Sequence, residues 1–407
     1  MLNRYSLARG EAEKQADFVD LIDTNFTSCG FHYPVSAVVS ATESYVAGWD
    51  LRRYTPDPAG DPALREAVAA YFRDGGVAAD SQGVVITASA SESYSHIFAS
   101  RCLAGDRVML PRPGYPLFED IAERHGLSVD YYDQRRSEGW TIDPEQIARM
   151  AGPRTAAIVL ISPNNPTGSI VSESTITEIG AVCERHGMFL VVDEVFSEIV
   201  FPSAPFSGET TDMSSDQARR RARLPRPASL LPNQLVYTIN GVSKLFAAPD
   251  LKVSWVLVTG PASLRAQAIE NLQVHNDLFL SSSALSQAIA VQMFRGGLAF
   301  TREMTAEIRR RRDVVLGEIA GIEGVAAIPP AGGIHLPVAF SSDVLPAGHD
   351  DEDVAVGLLQ SCHVATHPGY LYGIDSPVSI VLSFLSPSDR LRDGLGRIRT
   401  YLRTRSR

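Results

Sequence analysis

The 407-residue sequence lacks the features that mark membrane, secreted and nucleic-acid-binding proteins. It has no apolar run of the roughly 18–20 residues that a membrane-spanning helix requires. Its first residues, MLNRYSLARGEAEKQADF, contain no apolar core of a signal peptide. Positive charge is also in deficit, because 37 Lys and Arg stand against 47 Asp and Glu, for a formal net charge of −10. Binding to phosphate backbones requires an excess of Lys and Arg. We therefore expect a cytoplasmic protein with neither a nucleic-acid nor a membrane partner.

Cysteine is scarce as well, with four residues at positions 29, 102, 183 and 362. They form no CxxC pair and have no histidine at metal-ligand spacing, so the sequence predicts no zinc site and no other metal site. Reduced thiols in a cytoplasmic protein are the simplest interpretation. Cys29 is the candidate if one of the four has a catalytic role.

What the sequence does contain is the pattern of an α/β protein. The chain is 44% hydrophobic and 21% charged, as ordinary globular proteins are. Continuous apolar runs of strand length, typical of strands covered on both faces, lie at 83–87, 107–110, 156–161, 189–192, 235–239 and 254–258. Helical segments lie between them at 62–72, 92–102, 117–125, 144–150 and 173–186. This alternation predicts a domain with a mainly parallel sheet.

The rest of the chain predicts a second, smaller α+β domain. A helix pair over about 281–319 should connect to short strands and a final helix at 388–402. We predict that residues 1–45 pack with this small domain, residues 46–285 form the large domain, and residues 286–407 form the connecting helices and the small domain. Residues 202–232, rich in Ser, Pro, Thr and Arg, are predicted to be a long surface insertion, a kind of loop that is usually functional or disordered.

Three polar residues follow predicted strands and suit one aromatic aldehyde cofactor. Lys244, in the string GVSK, can form a Schiff base with a carbonyl group, although a solvated surface lysine is the simpler alternative. Asn165 in SPNNPTG and Asp193 in VVDE follow two preceding strands. Ligands bind at the carboxyl ends of parallel strands, so the three side chains should converge. Around a pyridine ring, Asp193 would keep the ring nitrogen protonated, Asn165 would bind the phenolic oxygen and Lys244 would hold the aldehyde.

With these strings in this order and spacing, the chain resembles the pyridoxal-phosphate-dependent class I/II aminotransferases of fold type I over about residues 22–402. The resemblance implies pyridoxal 5′-phosphate as cofactor, a large domain with a mainly parallel seven-stranded sheet, and a homodimer with shared active sites. It also implies phosphate contacts at a helix N-terminus, as expected for an anion. The positions that match further cofactor contacts are Ser89, Ala90, Ser91 and Ser243 for the phosphate, Tyr115 for stacking on the ring, and Tyr54 for the phosphate of the neighbouring subunit.

Four departures from the family's pattern concern mainly the substrate. Val381 stands where the family has the arginine that binds the substrate α-carboxylate, and valine cannot form that bidentate pair. Phe196 replaces a tyrosine that donates to the phenolic oxygen, which should raise the pKa of the Schiff base. Lys252 replaces a phosphate-binding arginine and keeps its charge without the planar fork. Residues 25–29, with Thr27 at their centre, replace a glycine-rich substrate turn and should reshape the pocket.

Two further groups of residues could contact a substrate or co-substrate. His335 and His367 could hold the carboxylate, or could serve local structure only. Within the predicted insertion, five arginines fall within eight residues: Arg219, Arg220, Arg221, Arg223 and Arg226. They could bind a phosphorylated or nucleotide-like co-substrate, or form a solvated surface.

These departures favour a non-standard reaction on an amino-acid-derived substrate, by elimination, replacement, cyclisation or carbon–carbon bond formation in specialised metabolism. The alternative is a conventional aminotransferase with an unusual amino donor. In either reaction Lys244 would act as the base at the α-carbon, and the protonated ring would stabilise the carbanion. A non-catalytic effector domain of a transcription regulator is a third alternative. The intact lysine and a resemblance that begins near residue 22 argue against it.

Overall fold

The computed structural model describes residues 3–51, 53–201, 224–280 and 282–405. Its helices are α1 (Arg4–Ala12), α2 (Val35–Ala47), α3 (Pro62–Asp74), α4 (Ala90–Arg101), α5 (Leu117–Arg124), α6 (Pro144–Met150), α7 (Glu173–His186), α8 (Pro227–Leu230), α9 (Val242–Leu245), α10 (Ala262–Asp277), α11 (Ala284–Arg295), α12 (Ala299–Ala320), α13 (Asp351–Cys362) and α14 (Ser388–Arg405). Its strands are β1 (Val19–Asp20), β2 (Val84–Thr87), β3 (Arg107–Arg112), β4 (Ser128–Arg135), β5 (Thr141–Ile142), β6 (Thr155–Ile161), β7 (Phe189–Asp193), β8 (Val236–Gly241), β9 (Ser254–Thr259), β10 (Val325–Ala327), β11 (His335–Phe340), β12 (Val364–Ala365), β13 (His367–Pro368) and β14 (Ser379–Ser383).

The large sheet has the strand order β2-β9-β8-β7-β6-β3-β4-β5. From β8 to β4 all neighbours are parallel, whereas β2, β9 and β5 pair antiparallel. The α/β class is therefore confirmed, but the expected number of seven strands is wrong for this chain. The eighth strand, β5, is a two-residue edge strand that pairs with the end of β4. Two residues are too few to leave an apolar run in the sequence.

The central strands are continuously apolar because helices cover both faces of the sheet. In β7, Leu190 and Val192 share a buried cluster with Ile179 of α7. Val191, which points to the opposite face, shares a second cluster with Tyr94 of α4. Both faces of the strand are thus removed from water, as the unbroken apolar run predicts.

A second, four-stranded antiparallel sheet has the order β10-β11-β14-β13. The N-terminal segment reaches this part of the chain, since β1 pairs in parallel with β12 and α1 packs on α13. By contrast, α2 packs against α11. The division at residues 45/46 and 285/286 stays a prediction. In the described part of the chain no helix combines the length and the apolar character needed to cross a membrane.

The predicted insertion is shorter than expected at its C-terminal end. Residues 202–223 lie outside the described residues, but residues 224–231 are not a surface loop. Leu224, Ala228 and Leu231 are buried. Leu231 packs so closely over α7 that a Cβ on Gly180 would lie 2.4 Å from its Cδ2. The polar composition of the predicted insertion therefore gave no sign that residues 224–231 pack on the core through a few apolar side chains.

Candidate active site

The strand register brings the ends of four strands and the start of a fifth to one edge of the large sheet. Thr87 of β2 pairs with Ser254 of β9, which pairs with Gly241 of β8. Asp193 of β7 pairs with Ile239 of β8 on one side and Ile161 of β6 on the other. The segments that follow these residues carry Ser89, Lys244, Asn165 and Asp193 itself. The structure thus brings the predicted cofactor residues to a common edge, which we call the cofactor edge.

Lys244 lies on the single turn α9, directly after β8. Its side chain is half-buried, and its Nζ lies 5.3 Å from the centre of the Phe26 ring. Among the described residues it forms no ion pair, and burial lowers the pKa of its ammonium group. A lysine with a lowered pKa presents more free amine at neutral pH and is a better nucleophile towards an aldehyde.

Asp193 is a buried carboxylate held by two donors. One oxygen accepts the backbone N–H of Val195 at 3.0 Å and the other accepts the Tyr94 hydroxyl at 3.1 Å. Burial raises the pKa of Asp193 to about 6, which the two hydrogen bonds only partly oppose. A cation beside this carboxylate would therefore be strongly favoured. Sequence reasoning missed Tyr94, although its position one turn into the helix after Ser89 could have indicated it.

The amide of Asn165 and the N-terminus of α4 complete the polar part of the cofactor edge. The buried Oδ1 of Asn165 has no hydrogen-bond partner among the described residues. Helix α4 begins at Ala90, two residues before the predicted start, and Ser89 is its N-cap, accepting the Glu92 N–H at 3.1 Å. The first N–H groups of a helix have no partner within the helix and are suited to an anion.

The remaining predicted cofactor residues occupy three different settings. Ser243 is half-buried beside Lys244, and Lys252 is exposed with a left-handed backbone at φ 53°. Burial raises the pKa of Tyr115, and the negative charge of Asp193 also raises it, to a smaller extent. Tyr54 is 85% exposed and forms no hydrogen bond or ring contact within the described part of the chain.

The second sheet turns one face towards Lys244. His367 of β13 and Pro337 of β11 both pair with Val381 of β14, and His335 lies two residues before Pro337 on the same face. The alternate residues of these strands, such as Leu336, lie in the hydrophobic core on the other face. Burial, with smaller contributions from Lys244 and His367, lowers the pKa of His335 to about 3.

Aromatic rings surround these histidines. The Tyr372 hydroxyl lies 2.9 Å from Nδ1 of His367, and the Tyr372 ring centre lies 6.4 Å from that of His335. Phe196 lies edge-on to His335 with ring centres 6.4 Å apart. Burial lowers the pKa of His367 to about 4. We call His335, His367, Tyr372, Val381 and Phe196 the histidine face.

Thr27, another predicted substrate residue, is not brought to this face. Thr27 is exposed, and its neighbour Phe26 makes the contact with Lys244. Arg219, Arg220, Arg221 and Arg223 lie outside the described residues. Burial raises the pKa of the Cys29 thiol to about 11, so it would be protonated at neutral pH.

Arg226 corrects one prediction and shows what sequence reasoning missed. Instead of belonging to an exposed arginine cluster, it is buried, with Nη1 2.7 Å from Oε2 of Glu194 and Nη2 3.1 Å from the Tyr71 hydroxyl. Burial alone would lower its pKa, but Glu194 and Tyr71 raise it overall. The fully buried Glu194, adjacent to Asp193, demands this partner, and nothing local in the sequence links residues 194 and 226.

These residues fit pyridoxal 5′-phosphate. Lys244 can take the aldehyde, Asp193 the protonated ring nitrogen and the start of α4 the phosphate. The unsatisfied amide of Asn165 is the most specific sign. Because a rotation of the amide by 180° exchanges its oxygen and nitrogen, it can serve the ring oxygen as donor or acceptor.

Known proteins that are similar to this chain are aminotransferases, which agrees with a site for pyridoxal 5′-phosphate. Residues 22–397 match the family described as aminotransferase class I and II. The arginine–pyruvate transaminase of Pseudomonas aeruginosa is 27% identical over 394 residues, which cover 97% of this chain and 91% of that protein. An aspartate aminotransferase of Streptomyces avermitilis is 28% identical over 90% of this chain and 85% of its own length.

Solved structures show the same fold. An alanine aminotransferase from Pyrococcus furiosus superposes with a TM-score of 0.87 at 22% identity, over 98% of this chain and 96% of that one. An aspartate aminotransferase from Rhizobium meliloti superposes with a TM-score of 0.83 at 25% identity, over 98% and 95%.

Proposed function

The chain belongs to the class I and II aminotransferases, and we propose that it performs conventional transamination with an unusual amino donor. Members of this family use pyridoxal 5′-phosphate, and the chain is a pyridoxal-phosphate-dependent enzyme of the aminotransferase type. The matched relatives are named as aminotransferases, which favours amino transfer over the elimination, cyclisation and carbon–carbon bond formation first expected. The observation that carries the proposal is the half-buried amine of Lys244, which forms no ion pair with any described residue and lies at the same sheet edge as the Asp193 carboxylate.

The cofactor, when bound, supplies the carbonyl carbon that takes up the amino group and a ring that withdraws electrons from the substrate carbon. Lys244 would hold the cofactor through its aldehyde group. Released by the substrate amine, its Nζ would act as the base for the proton on the amine-bearing carbon. Asp193 would keep the ring nitrogen protonated, and Tyr94 and Val195 fix the orientation of its carboxylate.

Two further positions adjust this chemistry. Asn165 would bind the ring oxygen of the cofactor, while Phe196, which has no hydroxyl, could donate nothing to it. The cofactor edge would thus supply one hydrogen bond to the ring oxygen where a tyrosine at position 196 would add a second. A single donor stabilises the oxygen anion less than two donors do.

Isotope transfer tests the proposal. The protein, loaded with pyridoxal 5′-phosphate, is incubated with single ¹⁵N-labelled amines and then with pyruvate or 2-oxoglutarate. We expect one equivalent of carbonyl product per site before the acceptor is added, and ¹⁵N in the new amino acid afterwards. Release of the label as ammonium, with none in the amino acid, would show an elimination and overturn the proposal.

We also propose a homodimer with shared active sites. Tyr54 is almost fully exposed, and Leu278 and Phe279 at the end of α10 are 70% and 68% exposed. Asn276 of α10 donates to the carbonyl of Pro58 at 2.6 Å, so these exposed groups belong to adjoining segments. Sedimentation equilibrium should give twice the chain mass. The Tyr54→Ala variant should lose cofactor affinity, and mixing it with Lys244→Ala should restore one intact site per dimer. A monomer, or no restoration, would contradict shared sites.

A further inference from the structure

The histidine face carries no fixed positive charge among the described residues. At neutral pH His335 and His367 are neutral imidazoles, because burial lowers the pKa of each far below 7. On β14, the strand between theirs, Val381 pairs with His367, and its side chain packs with Tyr372 and Ile374. Among the described residues of one chain, a substrate carboxylate placed here would lose its water, and the cations near it would be Lys244, which is engaged in the chemistry, and two arginines that already have partners.

The arginines that approach this face are already paired. Arg9, which acts electrostatically on His367, donates to Asp20 at 2.9 Å and to Glu13 at 2.7 Å. Arg112, at the end of β3, lies 2.9 Å from Asp133 and 3.8 Å from Asp375. Binding a substrate carboxylate would require either guanidinium to leave a carboxylate that it already neutralises.

The face nevertheless offers hydrogen bonds. His335 is only 8% exposed, yet its Nδ1 has no partner in the described part of the chain. A neutral imidazole has one nitrogen that donates and one that accepts. A buried polar atom without a partner is unfavourable, and a hydroxyl or carboxamide of a bound molecule would satisfy it. The Tyr372 hydroxyl, by contrast, is held by His367.

We propose that the histidine face receives an uncharged hydrogen-bonding group, so that the specific amino donor is a primary amine without a free α-carboxylate, such as a 2-amino alcohol or an amino-acid amide. This inference rests on the proposed amino transfer and names the substrate class of the same site. His335 binds the hydroxyl or amide, and Val381 excludes the carboxylate by supplying no partner for it.

A matched substrate series tests the proposal on the holoenzyme. For each of several side chains, the amino acid, its primary amide and the corresponding 2-amino alcohol are compared by the kcat/KM of the first half-reaction. In the best-reacting series we expect the amide or alcohol to exceed the acid at least tenfold. Preference for the acid in that series would overturn the proposal while leaving amino transfer intact. If no amine passes its nitrogen to an acceptor, the proposed function itself fails.

Variants separate recognition from folding. Val381→Arg should shift the ratio of kcat/KM values at least tenfold towards the acid, and Val381→Met, similar in bulk but uncharged, should not. His335→Phe should remove the preference for amide or alcohol and spare the acid. An equal loss for all three substrates would show a merely structural role and overturn the assignment of His335.

A readout independent of turnover is the binding of propionamide and propionate, measured by NMR line broadening. The wild type should bind propionamide more tightly, Val381→Arg should reverse the order, and tighter binding of propionate to the wild type would contradict the proposal.

Discussion

The cofactor edge and the histidine face both bury polar groups, but they control charge in opposite ways. At the cofactor edge the buried carboxylates have positive partners or would gain one. Glu194 is paired with Arg226, and Asp193 would pair with the protonated ring nitrogen of the cofactor. On the histidine face the ionisable groups are kept neutral by burial. The contrast implies that the charged ends of the bound molecules belong to the cofactor, and that the substrate end is recognised by shape and neutral hydrogen bonds.

Lys244→Ala should give the largest effect. It should remove the chemistry of the cofactor edge and leave the histidine face unchanged. Without the amine that holds the aldehyde and moves the proton, we expect the half-reaction to slow on the order of 10³-fold or more. Borohydride reduction of the loaded wild type should fix the cofactor on the peptide that contains Lys244. The sequence has only two other lysines, Lys14 and Lys252, so peptide mapping is unambiguous. Cofactor fixed on either of them instead would contradict the assignment.

The cofactor edge could be predicted because its residues follow strand ends. Lys244, Asp193 and Asn165 each come within five residues of the end of a buried apolar run, and a parallel sheet carries such positions to one edge. The histidine face could be predicted only in part. His335 and His367 were identified as residues, but the low pKa of each depends on burial that strands distant in sequence create.

Arg226→Met should be the next largest effect, on stability. Removing one partner of a buried ion pair leaves an uncompensated charge and typically costs about 3–5 kcal/mol. We expect a loss of this size in the free energy of unfolding, measured with urea. The double variant Glu194→Gln, Arg226→Met should recover part of it, since it leaves no unpaired carboxylate.

A matched control for that prediction is Arg73→Met, which removes an exposed ion pair to Glu66. Exposed pairs contribute about 0–1 kcal/mol, so this variant should remain close to the wild type. If Arg226→Met lowered the free energy of unfolding no more than Arg73→Met does, the buried pair would contribute no more to stability than an exposed one, and the prediction would be wrong.

The bounds of a helix could be predicted where a capping residue stands directly before its apolar pattern. The predicted bounds of α6 and α7 match the structure, since Asp143 and Ser172 cap these helices with side-chain hydrogen bonds. Strand β4, which lies next to the edge strand β5, was missed because most of its residues are half-buried or exposed. The Glu194–Arg226 pair was missed because contacts across the fold leave no periodic signal in the sequence.

The pH dependence of stability should separate the two regions in the cofactor-free protein. His335 has a pKa of about 3 when folded and an ordinary value of 6.5, so the unfolded chain binds more protons between these values. Its contribution to stability therefore falls as pH drops from 6.5 towards 3, by up to about 1.4 kcal/mol per pH unit. Asp193, with a pKa raised from 3.8 to about 6, contributes stability below 3.8 that is lost as pH rises to 6.

Two variants measure these opposite slopes by urea unfolding between pH 4 and 7.5. His335→Phe should lose less stability than the wild type on acidification below 6.5. Asp193→Asn should lose less than the wild type as pH rises from 4 to 6. Parallel curves for the wild type and both variants would show that neither group titrates differently in the folded state, and the contrast in charge would be lost.

Lys252→Arg should give the smallest effect and a gain. Lys252 is exposed at the cofactor edge, two residues before β9, and it stands where the family has a phosphate-binding arginine. A guanidinium can bind phosphate with two parallel hydrogen bonds where an ammonium acts as a point charge. We expect pyridoxal 5′-phosphate to bind a few-fold more tightly in equilibrium dialysis, an energy below about 1.4 kcal/mol. Lys14→Arg, in the turn after α1 where Lys14 pairs with Glu11, is the control and should change nothing. An unchanged affinity for Lys252→Arg would mean that residue 252 does not reach the phosphate, and the N-terminus of α4 and Ser243 would have to hold it alone.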